Sequence, residues 1–308
     1  RAGNLGGGGF MVVYLKDKDK TITIDYREKA PQEAHRDLFL DENGNYDKQK
    51  AQFSLLSAGV PGTVAGLYLA LKKYGTMTWQ QVLAPSIKLA EEGFEIPYDL
   101  ANILASPRYK KRLSSNDAAA KSYYKKDKSN YQAGELLKLP DLAWTLKQLS
   151  ANGPNAFYKG EIAKKIVKEM KRNKGLISAK DLENYEAIER LPVEGTYKDY
   201  KIISMPPASS GGVHLIQMLN MLEEFPIKDM GFGSADSIHI LAEVMKRAYA
   251  DRSKHLGDMD FYDVPFSLMS KGYASLLNKS ISVNSRTASK NVFAGDPYPY
   301  ESPDTTHF

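Results

Sequence analysis

The sequence predicts a mixed α/β or α+β layered domain. Two strand-like segments lie close together near the start, and a long succession of amphipathic or apolar helical segments follows. The chain has 308 residues, enough to bury a substantial core as one large or two ordinary domains.

Phe10–Leu15 (FMVVYL) and Thr21–Tyr26 (TITIDY) are rich in β-branched and aromatic residues, and the charged KDKDK link between them predicts a β-hairpin. Arg27 then falls just past the end of the second strand. Residues Asp41–Asn45 (DENGN) carry turn chemistry. The pattern is helical from Gly62 to Tyr74, with Gly75 as a stop, and again over Trp79–Gly93. Ser106–Gln132 is polar, rich in Lys and Tyr and poorly periodic, which predicts a surface excursion. Leu142–Leu149 and Glu161–Lys171 are amphipathic; in the second, Ile162, Ile166, Val167 and Met170 fall at helical spacing with lysines opposite. Tyr200–Ser204 reads as a strand, ended by Pro206-Pro207. Val213–Leu222 is apolar nearly all round, as a buried helix is. Ser237–Arg252 predicts a further helix, with Ile238, Leu241, Ala242, Met245 and Tyr249 on one face. Beyond Lys271 the composition shifts to Ser, Asn, Pro and Gly, and little regular structure is expected. No internal repeat is present.

Composition narrows the function classes. Hydrophobic residues at 42% and charged residues at 26% suit a globular protein rather than a disordered one. No stretch approaches the roughly 20 apolar residues that cross a bilayer as a helix. The net charge is +5, but the lysines are scattered and no basic run is interleaved with stacking aromatics, so nucleic acid is not an expected partner. Without cysteines there is no disulfide, no Cys-ligated metal and no thiolate nucleophile. The chain starts at Arg1 and enters a glycine-rich motif at once, which reads as a fragment lacking its N-terminal segment.

Gly6–Gly9 leads into a strand, whereas phosphate-cradling glycine loops follow a strand and open a helix; the run is read as structural, for close packing. Ser209-Ser210-Gly211-Gly212 lacks a G-x-S-x-G context and an evident triad. It reads as a helix start capped by Ser210 rather than a serine nucleophile. The histidines (His35, His214, His239, His255, His307) show no ligand spacing, so no metal site is expected, and His239 reads as a packing residue. A charged residue at a strand end, such as Arg27, suits either a binding group or an ordinary surface salt bridge. Asp304-Thr305-Thr306-His307 follows the irregular, Pro-rich stretch Asp296–Pro303, an approach of the kind processing sites need.

Taken together, these segments resemble γ-glutamyltranspeptidases across essentially the full length. The matching pieces run in order: Gly3–Phe10, Arg27–Pro31, Gly59–Gly66, Tyr74–Thr76, Asn152–Pro154 with Phe157–Gly160, Met205–Gly212, Gly231–Ser234, Ala248–Arg252 and Thr305–His307. The resemblance implies an αββα sandwich of the N-terminal-nucleophile hydrolase type, made as a precursor that cuts itself between Asp304 and Thr305. Residues 1–304 would be the large-subunit portion of one domain, and 305–308 the first residues of a small subunit that partners it. Thr305 would be the catalytic nucleophile toward glutathione and related γ-glutamyl compounds, with water, amino acids or peptides as acceptors. Its freed α-amine, with an unperturbed pKa of about 7.7–8.0, would act as the base. Arg27 matches the arginine that grips the substrate α-carboxylate. No cofactor or metal is implied, and the location implied is periplasmic or secreted. Same-fold alternatives are a poly-γ-glutamate depolymerase or a β-lactam acylase; an alternative of another class is a non-catalytic binding or scaffold homologue.

Overall fold

The structure, a computed structural model, describes residues 3–301. In chain order its regular elements begin with β1 (Phe10–Leu15), β2 (Lys20–Asp25), α1 (Lys48–Phe53), α2 (Thr63–Tyr74), α3 (Trp79–Glu92), β3 (Phe94–Glu95), α4 (Tyr98–Ala105), α5 (Pro107–Ser114) and α6 (Asp117–Tyr123). They continue with β4 (Leu136–Leu137), α7 (Pro140–Asn152), α8 (Asn155–Tyr158), α9 (Glu161–Arg172), α10 (Ala179–Glu183), β5 (Ile188–Arg190), β6 (Val193–Tyr197) and β7 (Tyr200–Ser204). The last are α11 (Gly211–Leu222), α12 (Ile227–Met230), α13 (Ala235–His255) and α14 (Lys271–Asn278). The chain divides into two compact units, one built from the residues up to Gly9 with Tyr26–Ala187, the other from Phe10–Asp25 and the residues from Ile188 on.

The first unit is mainly helical. Thr78 opens α3 with a capping box, its side chain accepting from the Gln81 N–H while Gln81 reaches back to the Thr78 N–H. Trp79 donates through Nε1 to Leu149 O at 2.9 Å, tying the start of α3 to α7. The core gathers Val60, Val64, Leu149, Phe157, Ile162 and Leu182, with Ile166 and Val167 of α9 packed against it, so the apolar stripe of α9 faces inward as its spacing predicts. The stretch after Ser106 is largely exposed, as expected of a surface excursion, but it also contains α5 and α6. Pro107 stands in the first turn of α5, where its missing N–H costs nothing, and Asn116 Oδ1 caps α6 by accepting from Ala119 N at 3.0 Å. A proline in the first turn starts α5, and an asparagine cap starts α6.

In the second unit β1, β2 and β5 form an antiparallel three-stranded sheet, with Phe10 opposite Asp25 and Thr23 opposite Arg190. The KDKDK link makes a 3-10 turn closed by Asp19 in the left-handed region (φ 43°). Arg190 meets Asp260 through both terminal nitrogens at 2.8 and 2.7 Å and Asp25 through Nε at 3.0 Å, which holds its guanidinium charged. β6 and β7 form a hairpin beside a core of Val213, Ile216, Met221, Ile240, Val244, Leu268 and Tyr273. Regular structure persists past Lys271: Ser270 caps α14 by accepting from Tyr273 N at 3.1 Å, and among the described residues short 3-10 turns follow. Among the described residues no helix is long and apolar enough to cross a membrane.

Candidate active site

The Arg27 side chain is exposed, but its backbone is enclosed on both sides. On one side Tyr26 N donates to Gly9 O at 3.0 Å and Gly9 N to Tyr26 O at 3.2 Å. On the other, Lys29 and Val60 exchange a pair of backbone hydrogen bonds at 3.2 and 2.7 Å. The two sides join where Gly62 N and Thr63 N, at the open start of α2, donate to Gly7 O at 2.8 and 3.1 Å. A Cβ added at Gly8 would lie 2.7 Å from Glu28 N and overlap Tyr26 O; one at Gly62 would overlap both Tyr26 O and the Tyr185 hydroxyl. The glycine run is therefore a backbone-packing device around the segment that carries Arg27.

A tyrosine pair completes this support. Tyr185 donates its hydroxyl to Arg27 O at 2.8 Å. Its ring stacks on Tyr158, with centroids 5.6 Å apart and planes 7° from parallel. Tyr158 donates to Pro61 O at 2.9 Å and accepts from Ala65 N at 3.2 Å, so the pair links Arg27 to the first turn of α2. Burial pushes the Tyr158 hydroxyl well above the usual tyrosine range, which keeps it a donor. Lys29 Nζ sits 5.7 Å from the centre of the Tyr185 ring. The result is an exposed guanidinium on a fixed backbone, chemistry suited to a carboxylate.

In the second unit, α13 buries Glu243, Arg247, Asp251 and His255, at successive four-residue intervals, to between 0% and 3% exposure. Each holds the chain that follows α14. Arg247 reaches Glu243 Oε2 at 2.8 Å, Ser280 Oγ at 2.7 Å and Ser280 O at 2.6 Å. Glu243 accepts from Thr287 N at 2.9 Å, while Lys246 Nζ donates to Thr287 O at 2.8 Å. Asp251 accepts from Gly295 N at 2.8 Å, from the Tyr273 hydroxyl at 2.9 Å and from Gln217 Nε2 at 2.5 Å. His255 Nε2 meets Gly295 O at 2.9 Å, and further on the Glu301 carboxylate accepts from Ser267 N at 3.0 Å. For Glu243 burial alone would raise the pKa, but hydrogen bonds from Lys246, Arg247 and Thr287 outweigh it and hold the carboxyl at about 2. The segment leading toward Asp304 is thus anchored residue by residue on one helix face. Asp304 and Thr305 themselves lie outside the described residues.

The Ser209–Gly212 turn differs in detail from expectation. Ser210 occupies the N-cap position of α11 but makes no side-chain capping bond; its hydroxyl instead accepts from Arg252 Nε at 3.2 Å. Ser209 Oγ, one residue earlier, accepts from Gly211 N at 3.2 Å. Burial first, and the charge of Arg252 second, lower the pKa of His214 to about 4, and it packs at 5.5 Å from the Tyr249 ring. His239 Nε2 meets Ser282 O at 2.8 Å. Among the described residues no group of three His, Cys, Asp or Glu side chains is placed to hold a metal ion.

Sequence reasoning singled out Arg27 but missed its tyrosine clamp, whose partners stand 158 positions apart and leave no local signal. It also missed the row on α13. There a signal existed, because Glu, Arg, Asp and His recur every fourth residue on one helix.

The profile of the Gamma-glutamyltranspeptidase family matches residues 1–308. The Escherichia coli (strain K12) protein named "Glutathione hydrolase proenzyme" is 47% identical, over 100% of this chain and 53% of its own length. An "Acylase ACY 1 proenzyme" from Pseudomonas sp. (strain V22) is more distant, 35% identical over 98% of this chain and 54% of its own length. The crystal structure of Helicobacter pylori gamma-glutamyltranspeptidase superposes with a TM-score of 0.92 at 44% identity, covering 96% of this chain and 84% of that one. The chain thus spans about half the length of the curated relatives it matches. Its fold class is the α/β one expected, shared with a γ-glutamyltranspeptidase structure.

Proposed function

Because the chain belongs to the γ-glutamyltranspeptidase family, we propose that it is the larger part of an enzyme that cleaves the γ-glutamyl amide of glutathione and related compounds. In this reading the precursor cuts itself between Asp304 and Thr305. The Thr305 hydroxyl attacks the γ-carbonyl, the freed α-amine of the same residue takes its proton, and the amine half of the substrate leaves. The resulting γ-glutamyl ester on Thr305 then passes to water, an amino acid or a peptide. The small subunit begins at Thr305 and stays as partner, and the location proposed is periplasmic or secreted. This chemistry calls on no metal or organic cofactor.

The observation that supports this best is Arg27, an exposed guanidinium whose backbone is fixed by Gly9, Val60 and Tyr185. Such an arrangement suits a paired hydrogen bond to the α-carboxylate of a γ-glutamyl group, leaving the scissile carbonyl free to react. A second reading, an acylase, has the more distant acylase relative in its favour. The test compares glutathione, a γ-glutamyl polymer and a glutaryl-cephalosporin as substrates of the full-length enzyme. The proposal expects glutathione to be turned over fastest; a preference for the cephalosporin or the polymer would overturn it.

A further inference from the structure

The Arg27 guanidinium stands at the end of a long side chain, so where it can reach depends on the backbone that carries it. Productive pairing with a ligand tolerates misplacement of only about 0.5 Å and 10–20°. That backbone is paired at Tyr26, through Gly9, and again at Lys29, through Val60. Arg27 and Glu28 fall between the two pairings. The Arg27 carbonyl is held from a third direction by the Tyr185 hydroxyl, at 2.8 Å and 158 positions away in the chain.

Tyr185 is itself fixed. It lies between α10 and β5, is 7% exposed and stacks on the buried ring of Tyr158. Gly62 leaves room for its hydroxyl, because a Cβ at that position would overlap it. Phenylalanine would satisfy the ring's packing equally well. The hydroxyl adds a hydrogen bond, and that bond falls on the residue whose guanidinium faces outward.

We propose that Tyr185 is a positioning residue: its hydroxyl sets the Arg27 backbone so that the guanidinium fork meets the α-carboxylate of the γ-glutamyl group. The proposal rests on the reading of Arg27 given above. Without the hydroxyl the guanidinium stays charged but sweeps a wider arc, and substrate is held less well in ground state and transition state alike. Loss of such uniform binding raises KM and spares kcat.

The test follows glutamate release from glutathione by the full-length enzyme as wild type, Tyr185→Phe, Arg27→Lys and the double variant. Tyr185→Phe is expected to raise KM by about three- to tenfold, as loss of one hydrogen bond does, with kcat within about twofold. Added to Arg27→Lys, where the fork is already gone, it is expected to raise KM by less than about twofold. Tyr185→4-aminophenylalanine, which puts an N–H donor back on the same ring, is expected to restore KM. Where Tyr185→Phe does not fold, Tyr185→4-fluorophenylalanine keeps the ring's size without the donor and takes its place. A Tyr185 variant that lowers thermal stability but leaves KM unchanged overturns the proposal, as does an effect that multiplies in full with that of Arg27→Lys; either result makes Tyr185 a packing residue alone. A raised KM in Arg27→Lys beside an unchanged one in Tyr185→Phe spares the reading of Arg27 and removes only the positioning role. An unchanged KM in Arg27→Lys removes both.

Discussion

At the scale of single residues the proposal turns on Arg27. A charge-assisted pair with a carboxylate contributes about 1.5–3 kcal/mol, and the planar fork that makes it bidentate is lost in lysine. Arg27→Lys in the full-length enzyme is therefore expected to raise KM for glutathione by roughly tenfold or more, with self-cleavage unaffected; an unchanged KM would remove Arg27 from the substrate. Arg27 could be singled out in the sequence because it follows a strand in a matching Arg-Glu-Lys-Ala-Pro segment. Its rigidity could not, because the bonds that supply it come from Gly9, Val60 and Tyr185, each placed by the tertiary fold.

At the scale of the element, α13 shows where sequence periodicity misleads. The apolar spacing locates the helix, but it selects the face that the described residues leave exposed. The buried face is polar, and it is tolerated because each charged group on it has partners: Glu243 with Arg247, Lys246 and Thr287, and Asp251 with Gln217, Tyr273 and Gly295. Glu243→Gln leaves Arg247 without its buried counter-charge and should cost about 3 kcal/mol at neutral pH. The pH dependence fixes the sign. A carboxyl held at about 2 in the fold and near its ordinary value when unfolded stabilises the protein above about pH 4.5. That contribution is lost as pH falls through the folded value. Thermal melts of the two proteins should therefore differ most at pH 6–7, and the gap should narrow between pH 5 and pH 3; a gap that stays constant or widens would contradict the assignment.

At the scale of the whole molecule the α/β class and the longer helices α2, α3, α7, α9, α11 and α13 were legible in the sequence, because caps, glycine stops and amphipathic spacing are local signals. The division into two units was not. The first strands, Phe10–Asp25, belong with residues from Ile188 onward, and the Thr23 hydroxyl bonds Arg190 O across 167 positions. Pairings of that range leave no trace in a local window. The helices inside Ser106–Gln132 were missed for the opposite reason, being too short for a period to register. The central claim remains a single residue that becomes a nucleophile when the bond before it breaks. Intact-mass spectrometry of the full-length protein and its Thr305→Ala variant, with glutamate release from glutathione followed on the same samples, tests it most directly. The wild type is predicted to separate into two polypeptides, the second beginning at Thr305, and to release glutamate, while the variant stays whole and inert. A variant that still splits at that bond and still releases glutamate would contradict the claim.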